Sequence, residues 1–278
     1  MAFTSFLRWK LIFILSFCFI LPGFAQIYRP KPVTALLGAM DEEIELLRQT
    51  LQKPKVKVIH GITFYEGKIG RQRIVIVKTG IGKVNATMTA AFLLQTFRPQ
   101  RVIFTGIAGG IHPDLNPGDI VIGQQTMQYD FGQFTNEGLQ TGKTRNPINR
   151  ELNPLFFPAD SLLLITAQAA AQTTEFKKME NQAKAPRIIT GTIVTGDLFV
   201  TSETKVNELR RRFNADATEM EGAAVAQLCW QQQVPCLILR SMSDKADSKA
   251  RESVDNFKKT ASYNSARLLI NMLSKLPD

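Results

Sequence analysis

Short apolar runs alternate with helix-period segments from residue 33 to residue 273, and most of the runs end in a glycine-rich or acidic turn. That alternation calls for a largely parallel or mixed sheet with helices on both faces, because each amphipathic helix must bury its apolar stripe against a sheet. In sheets of this kind ligands gather beyond the carboxyl ends of the strands. The turns at residues 40–43, 79–82, 106–110, 197–200, 219–221 and 243–244 all follow strand-like runs, so all six can converge on one cleft.

In chain order, residues 33–38 read as a strand and 41–51 as a helix with Asp41, Glu42 and Glu43 in its first turn, where the helix dipole favours acids. Runs at 56–60, 62–69 and 72–78, separated by Gly61 and Gly70, read as an antiparallel meander. A glycine turn at 79–82 then leads into a helix over 83–97. The strand at 101–105 runs into five residues, 106–110, whose dense glycines either let the backbone approach a ligand closely or simply allow tight turns. Residues 119–125 are strand-like. Residues 127–157 are polar and interrupted by prolines, as in a lid or a partner-contact loop. Helices follow over 160–173, 202–213 and 253–273, strands over 187–195 and 235–240, and a loop over 241–248.

The segment at 217–226, ATEMEGAAVA, places Glu219 and Glu221 where a strand gives way to a helix. Ionised carboxylates buried there need hydrogen-bond donors or a counter-charge, which ribose hydroxyls or backbone amides could supply. The plainer alternative is a pair of first-turn helix acids facing the positive end of the dipole.

Of the 278 residues, 44% are apolar, ample for a core, and no Pro-, Gly- or Ser-rich linker divides them. The N-terminus differs. Arg8 and Lys10 precede an apolar run over 11–21, and Gly23-Phe24-Ala25 supplies a small-x-small cleavage pattern. This is the layout of a signal peptide over residues 1–25, leaving a single domain over 26–278 that is periplasmic or secreted. The run is short of the roughly 20 residues of a membrane span, although an uncleaved segment would tether the protein. The formal charge of +10 becomes +8 without the leader, since it removes two of the 34 basic residues and none of the 24 acidic ones. The basic residues are scattered apart from Arg210-Arg211-Arg212, and no nucleic-acid motif accompanies them. Cys229 and Cys236 could form a disulfide or remain two buried thiols. With His60 and His112 the only histidines, and no metal-ligand spacing, zinc sites and histidine-dependent triads find no support.

Seven ordered motifs carry a resemblance: GAMDEE at 38–43, TGIGKVNA at 79–86, TGIAGG at 105–110, GDIVI at 118–122, TGDLFV at 195–200, EMEGAAVA at 219–226 and RSMSDKAD at 240–247. Together the chain resembles the 5'-methylthioadenosine/S-adenosylhomocysteine nucleosidases of the purine nucleoside phosphorylase superfamily. The resemblance implies an α/β fold, a three-layer αβα sandwich around a central mixed sheet. It implies cleavage of a purine nucleoside's N-glycosidic bond, with no cofactor and no metal. On that basis Asp244 is expected to serve purine N7 as the acid and Glu43 to orient and deprotonate the attacking water. Glu221 is expected to accept from the ribose hydroxyls, Met220 to pack on the sugar, Phe199 to stack on the base and Val200 to read its edge through the backbone. Ser243 would support the Asp244 loop, while Met40 and Ile81 fit an apolar 5'-thio pocket. Glu219 is left unassigned, with a structural role open to it.

A phosphorylase must neutralise its phosphate, and arginine is the natural ligand. The hexameric phosphorylases carry arginine and serine at the positions of Phe104 and Ile107, and another arginine where this chain has Asp41-Glu42-Glu43. Hydrolysis is therefore expected, with a phosphorylase and a non-catalytic nucleoside-binding protein as the competing readings. Ile107 replaces the serine usual in the nucleosidases and Val254 an aromatic that covers the ribose, which leaves the preferred nucleoside open. The resemblance also implies a homodimer.

Overall fold

The computed structural model describes residues 32–179 and 185–277; the leader read over residues 1–25 lies outside them. The elements run β1 (Val33–Gly38), α1 (Asp41–Thr50), β2 (Gln52–Ile59), β3 (Ile62–Ile69), β4 (Gln72–Lys78), α2 (Lys83–Phe97), β5 (Arg101–Gly110) and β6 (Ile120–Gln128). A hairpin of β7 (Gly132–Thr135) and β8 (Gly138–Thr141) and the short β9 (Phe157–Pro158) follow. Then come α3 (Ser161–Ala171), β10 (Ile188–Thr195), α4 (Glu203–Phe213), β11 (Ala215–Glu219), α5 (Gly222–Gln231), β12 (Cys236–Asp244) and α6 (Ala250–Lys275).

The main sheet has the order β11-β10-β6-β12-β5-β1-β4-β3-β2, and β11 returns to pair with β5 as well. Strands β5, β12, β6, β10 and β11 thus close a circuit, while β1 to β4 extend from it as an open wing. Pairing is parallel between β1 and β4, β1 and β5, β12 and β5, β10 and β6, and β10 and β11. The meander β2-β3-β4 is antiparallel, as its glycine turns foretold, so the sheet is mixed.

Helices α1, α3 and α6 pack on one face and α2 and α5 on the other, giving the αβα sandwich. The alternation along the strands decides which residues meet which layer. On β1, Leu36 joins the cluster with Ile44, Leu47, Leu268 and Leu269, whereas Ala35 and Leu37 join the one with Ala90, Leu93 and Val225. Each wholly buried leucine or isoleucine of this kind contributes about 1.5–3 kcal/mol of burial. Helix α4 lies beside β11 and is capped by Ser202, whose hydroxyl accepts from the Lys205 amide at 3.3 Å.

Three expectations change. The glycines at 106–110 continue β5 instead of forming a turn, and residues 241–244 continue β12. The segment 127–157 is less irregular than its composition implies, holding the end of β6 and the β7-β8 hairpin. For β5 the physical reason is close approach. A Cβ at Gly106 would lie 2.5 Å from Glu43 Oε1, and one at Gly109 would lie 2.9 Å from both Asp244 Oδ1 and the Ala246 Cβ. The glycines are gaps in a strand that admit two carboxylates.

Cys229 and Cys236 are free and buried. Among the described residues no helix is long and apolar enough to cross a membrane, and no cluster of His, Cys, Asp and Glu could hold a metal ion.

Candidate active site

A cleft of about 180 Å³ opens at the carboxyl ends of β1, β5, β11 and β12. It gathers four carboxylates, Glu43, Glu219, Glu221 and Asp244, with the apolar side chains of Met40, Ile81, Ile107, Phe199, Met220 and Val254. A larger hollow of about 830 Å³ beside Trp230 and Ile148 is open and receives none of these acids. The smaller cleft is the one where chemistry converges.

Glu43 is the third residue of α1 and reaches back across the start of its own helix. Its Oε2 accepts from the amides of Ala39 and Met40, the latter at 3.0 Å, and its Oε1 accepts from the Ile107 amide at 2.9 Å. Three backbone donors from two strand ends therefore fix the carboxyl without a flexible partner. Its exposure is 3%. Burial pushes its pKa up, against the opposing pull of Arg240 and the three amides.

Asp244 ends β12 and is equally buried. Its Oδ2 accepts from the Ser243 hydroxyl at 2.7 Å and its Oδ1 from the Ala246 amide at 2.6 Å. Ser243 thus supports Asp244 directly. Burial raises the Asp244 pKa, only partly offset by those two hydrogen bonds. A carboxyl with a raised pKa can keep its proton and donate it.

Glu221 stands at the start of α5, where its Oε1 accepts from the Gly82 amide at 2.9 Å. Gly82 has φ +94, which brings that amide in from the turn before α2. Burial, and then the negative charge of Glu219, push Glu221 up to about 8. Glu219 is tied down more fully. Its Oε2 accepts from Arg240 Nη2 at 2.6 Å and from the Gly222 amide at 2.7 Å, while its Oε1 accepts from the Thr195 hydroxyl.

Arg240 joins these acids. It is 1% exposed, its guanidinium lies 4.5 Å from the Phe104 ring centroid, and its Nη1 donates to the carbonyls of Phe104 and Leu239. Burial alone would lower its pKa, but Glu219, Glu43 and Glu221 together raise it. Its nearest approach to Glu221 is 3.8 Å, against 2.6 Å to Glu219. One cation therefore faces three acids, and Glu221, held by it less closely than Glu219, is driven toward the neutral form.

The rim is built by two turns that lock together. Asp197 Oδ1 accepts from the Lys83 amide at 2.8 Å, Asp130 Oδ2 accepts from the Asp197 amide at 2.8 Å, and the Lys83 ammonium pairs with Asp130 at 2.6 Å. This holds Ile81 beside Phe199, whose ring is 43% exposed. Val200 does not line the cleft with its side chain, which is buried in a cluster with Met127, Val194 and Leu209.

Sequence reasoning missed Arg240 and left Glu219 unassigned with a structural role open to it; Glu219 ends β11 as the partner of Arg240 and is not a first-turn helix acid. A signal was present: an arginine within the apolar run CLILRSM has no cheap way to be buried except beside carboxylates.

A mixed α/β sheet that delivers buried acids from its strand ends into one cleft defines the class, and the sequence model of the Phosphorylase superfamily matches residues 33–274. The 5'-methylthioadenosine/S-adenosylhomocysteine nucleosidase of Bacillus cereus (strain G9842) is 35% identical over 243 residues, covering 87% of this chain and 98% of the relative. The chain belongs to the 5'-methylthioadenosine/S-adenosylhomocysteine nucleosidase family. Among solved structures, the enzyme of that name from Neisseria meningitidis, in complex with methylthio-immucillin-A, aligns with a TM-score of 0.77 and 38% identity. That alignment covers 88% of this chain and 99% of the other. The futalosine hydrolase of Helicobacter pylori aligns with a TM-score of 0.76 and 31% identity, over 88% of this chain and 98% of the other.

Proposed function

We propose that this chain hydrolyses the N-glycosidic bond of an adenine nucleoside carrying a 5'-thio substituent, releasing the free base. The observation that carries the reading is the presence, in one cleft, of two buried carboxyls with different surroundings. Glu43 is fixed by three amides, and Asp244 is held by one amide and one hydroxyl. The bond breaks as positive charge grows on the ribose and negative charge on the base. Asp244, in its neutral form, donates to purine N7 as the base leaves. Glu43, in its charged form, takes a proton from the water that attacks the sugar. Glu221 accepts from the ribose hydroxyls, and a bound diol donating to it draws it back toward the ionised form. Met220 packs on the sugar, Phe199 stacks on the base, and the Val200 backbone reads the base edge. Met40 and Ile81 receive the 5'-thio group, and Ser243 keeps Asp244 in place.

Water is favoured over phosphate as the nucleophile on electrostatic grounds. Phe104 and Ile107 offer no cation, and the fork of Arg240 is already engaged by Glu219 and two carbonyls. An entering phosphate would meet four carboxyl groups and no guanidinium among the residues that line the cleft. Release of base from methylthioadenosine, S-adenosylhomocysteine, adenosine and inosine is expected to proceed at the same rate with and without phosphate, fastest on the first two. Base release that appears only when phosphate is added would overturn the assignment.

The working form is an exported homodimer of residues 26–278. The leader layout supports export. On α2, Val84 (77% exposed) and Met88 (48%) stand one turn apart, with Ile81 (52%) beside them, an apolar strip that supports a subunit contact next to the cleft. Native mass spectrometry of protein recovered from an exporting host should give twice the mass of a chain beginning at Gln26. A single-chain mass removes the dimer, and retention of residues 1–25 removes cleavage.

A further inference from the structure

The geometry points to Arg251 as a specificity residue that selects nucleosides whose 5' substituent ends in a carboxylate. This rests on the nucleosidase reading and adds to it the charge of the preferred substrate.

Three observations meet at the first turn of α6. Val254 lines the cleft, and Arg251 stands three residues earlier on the same helix, hence on the same face. Its guanidinium lies 5.6 Å from the centroid of Phe199, which also lines the cleft, a separation at which a cation is held over an aromatic face. Arg251 is exposed and forms no ion pair among the described residues, although Glu252 and Asp255 are its neighbours on the helix. The cation is therefore held in place by a ring and left without an acid.

The cleft wall decides which anion suits it. Arg251 is not itself part of the lining, so a ligand seated against Glu221 reaches it only past Val254 and Phe199. The rise along a helix puts these two α6 positions about 4.5 Å apart. A phosphate joined directly to the ribose C5' would stop among Met40, Ile81 and Val254, desolvated and unpaired, which is costly. A carboxylate at the end of an apolar or thioether spacer would clear those side chains and meet the fork of Arg251, a geometry that arginine accepts with two parallel hydrogen bonds. Val254, smaller than an aromatic, leaves the passage between cleft and cation open.

The test compares kcat/KM for S-adenosylhomocysteine, methylthioadenosine and adenosine 5'-phosphate in the wild type, Arg251→Gln and Arg251→Lys. In Arg251→Gln the value for S-adenosylhomocysteine should fall about tenfold, mainly through KM, with methylthioadenosine changed by less than about twofold. Arg251→Lys should retain part of the preference, because it keeps the charge and loses the fork. A parallel fall for both substrates would mean that Arg251 only supports Phe199, and an unchanged ratio would mean that it reads nothing; either overturns the inference. A selective loss for adenosine 5'-phosphate would overturn the carboxylate assignment. If the wild type releases no base from any of the three, it is the hydrolase reading that fails. Calorimetric affinities then decide Arg251 separately: a preference for S-adenosylhomocysteine that Arg251→Gln abolishes upholds its role, and equal affinities overturn it.

Discussion

Asp244→Asn is expected to lower kcat by about 10² to 10⁴, the usual worth of a positioned proton donor, while KM changes little. That range corresponds to roughly 3–5 kcal/mol of barrier. The replacement is nearly isosteric. Asparagine can still accept from the Ala246 amide, and its amide can donate to the Ser243 hydroxyl, so the end of β12 should hold its shape. What is lost is the proton. The pH profile separates this from a structural defect. Asp244 has a raised pKa and is the proposed acid, so wild-type activity should fall as pH rises through that value. Glu43 also has a raised pKa but is the proposed base, so activity should fall on the other side, as pH drops through its own value. The variant should keep the low-pH limb and lose the high-pH one. A profile of unchanged shape in Asp244→Asn would take the acid role away from Asp244.

The second large effect concerns stability. Arg240→Met preserves much of the side chain's volume yet leaves Glu219, Glu43 and Glu221 without their shared cation. Breaking a buried pair by removing one partner typically costs 3–5 kcal/mol, because the remaining charge cannot be solvated. The sign of its pH dependence follows from linkage. Without Arg240 the folded-state pKa values of Glu43 and Glu221 rise further above their unfolded values. The folded state then binds protons that the unfolded state has already lost, so stability falls as pH rises through this range. With Glu221 already at about 8 in the wild type, the deficit should be small near about pH 5, where the acids can protonate, and larger near about pH 9, where wild-type Glu221 ionises beside Arg240. Urea denaturation at the two pH values measures it. A deficit independent of pH would show that Arg240 acts through packing on Phe104 and not through charge.

Much of the sheet was legible in the sequence, for a specific reason. Alternating apolar runs with glycine turns dictate strand and helix locally, and residues such as Leu36 and Leu37 sort to opposite faces by strand periodicity alone. The lengths of β5 and β12 were not legible. Glycine in a sequence signals a turn or a close approach equally well, and only the carboxylates arriving from α1 and β12 show that 106–110 is the second case. The closure of β11 onto β5 is likewise a long-range pairing that no local pattern encodes. At the site, Glu43, Glu221, Met220, Phe199, Ser243 and Asp244 could be named from ordered motifs that lie at or just beyond strand ends. Arg240 could not, since its meaning depends on three acids from α1 and the β11–α5 junction meeting beneath the cleft. The reading of ATEMEGAAVA changes accordingly. Glu221 faces the cleft and Gly82, whereas Glu219 is the counter-ion that allows an arginine to sit in the core.

The central claim is a division of labour in which Asp244 serves the leaving base and Glu43 serves the water. It can be tested with one pair of substrates. A 5-thioribosyl p-nitrophenolate leaves without needing a proton, so on that substrate Asp244→Asn should recover a rate close to wild type, while Glu43→Gln should remain as impaired as it is on methylthioadenosine. Equal impairment of both variants on the activated substrate would contradict the account.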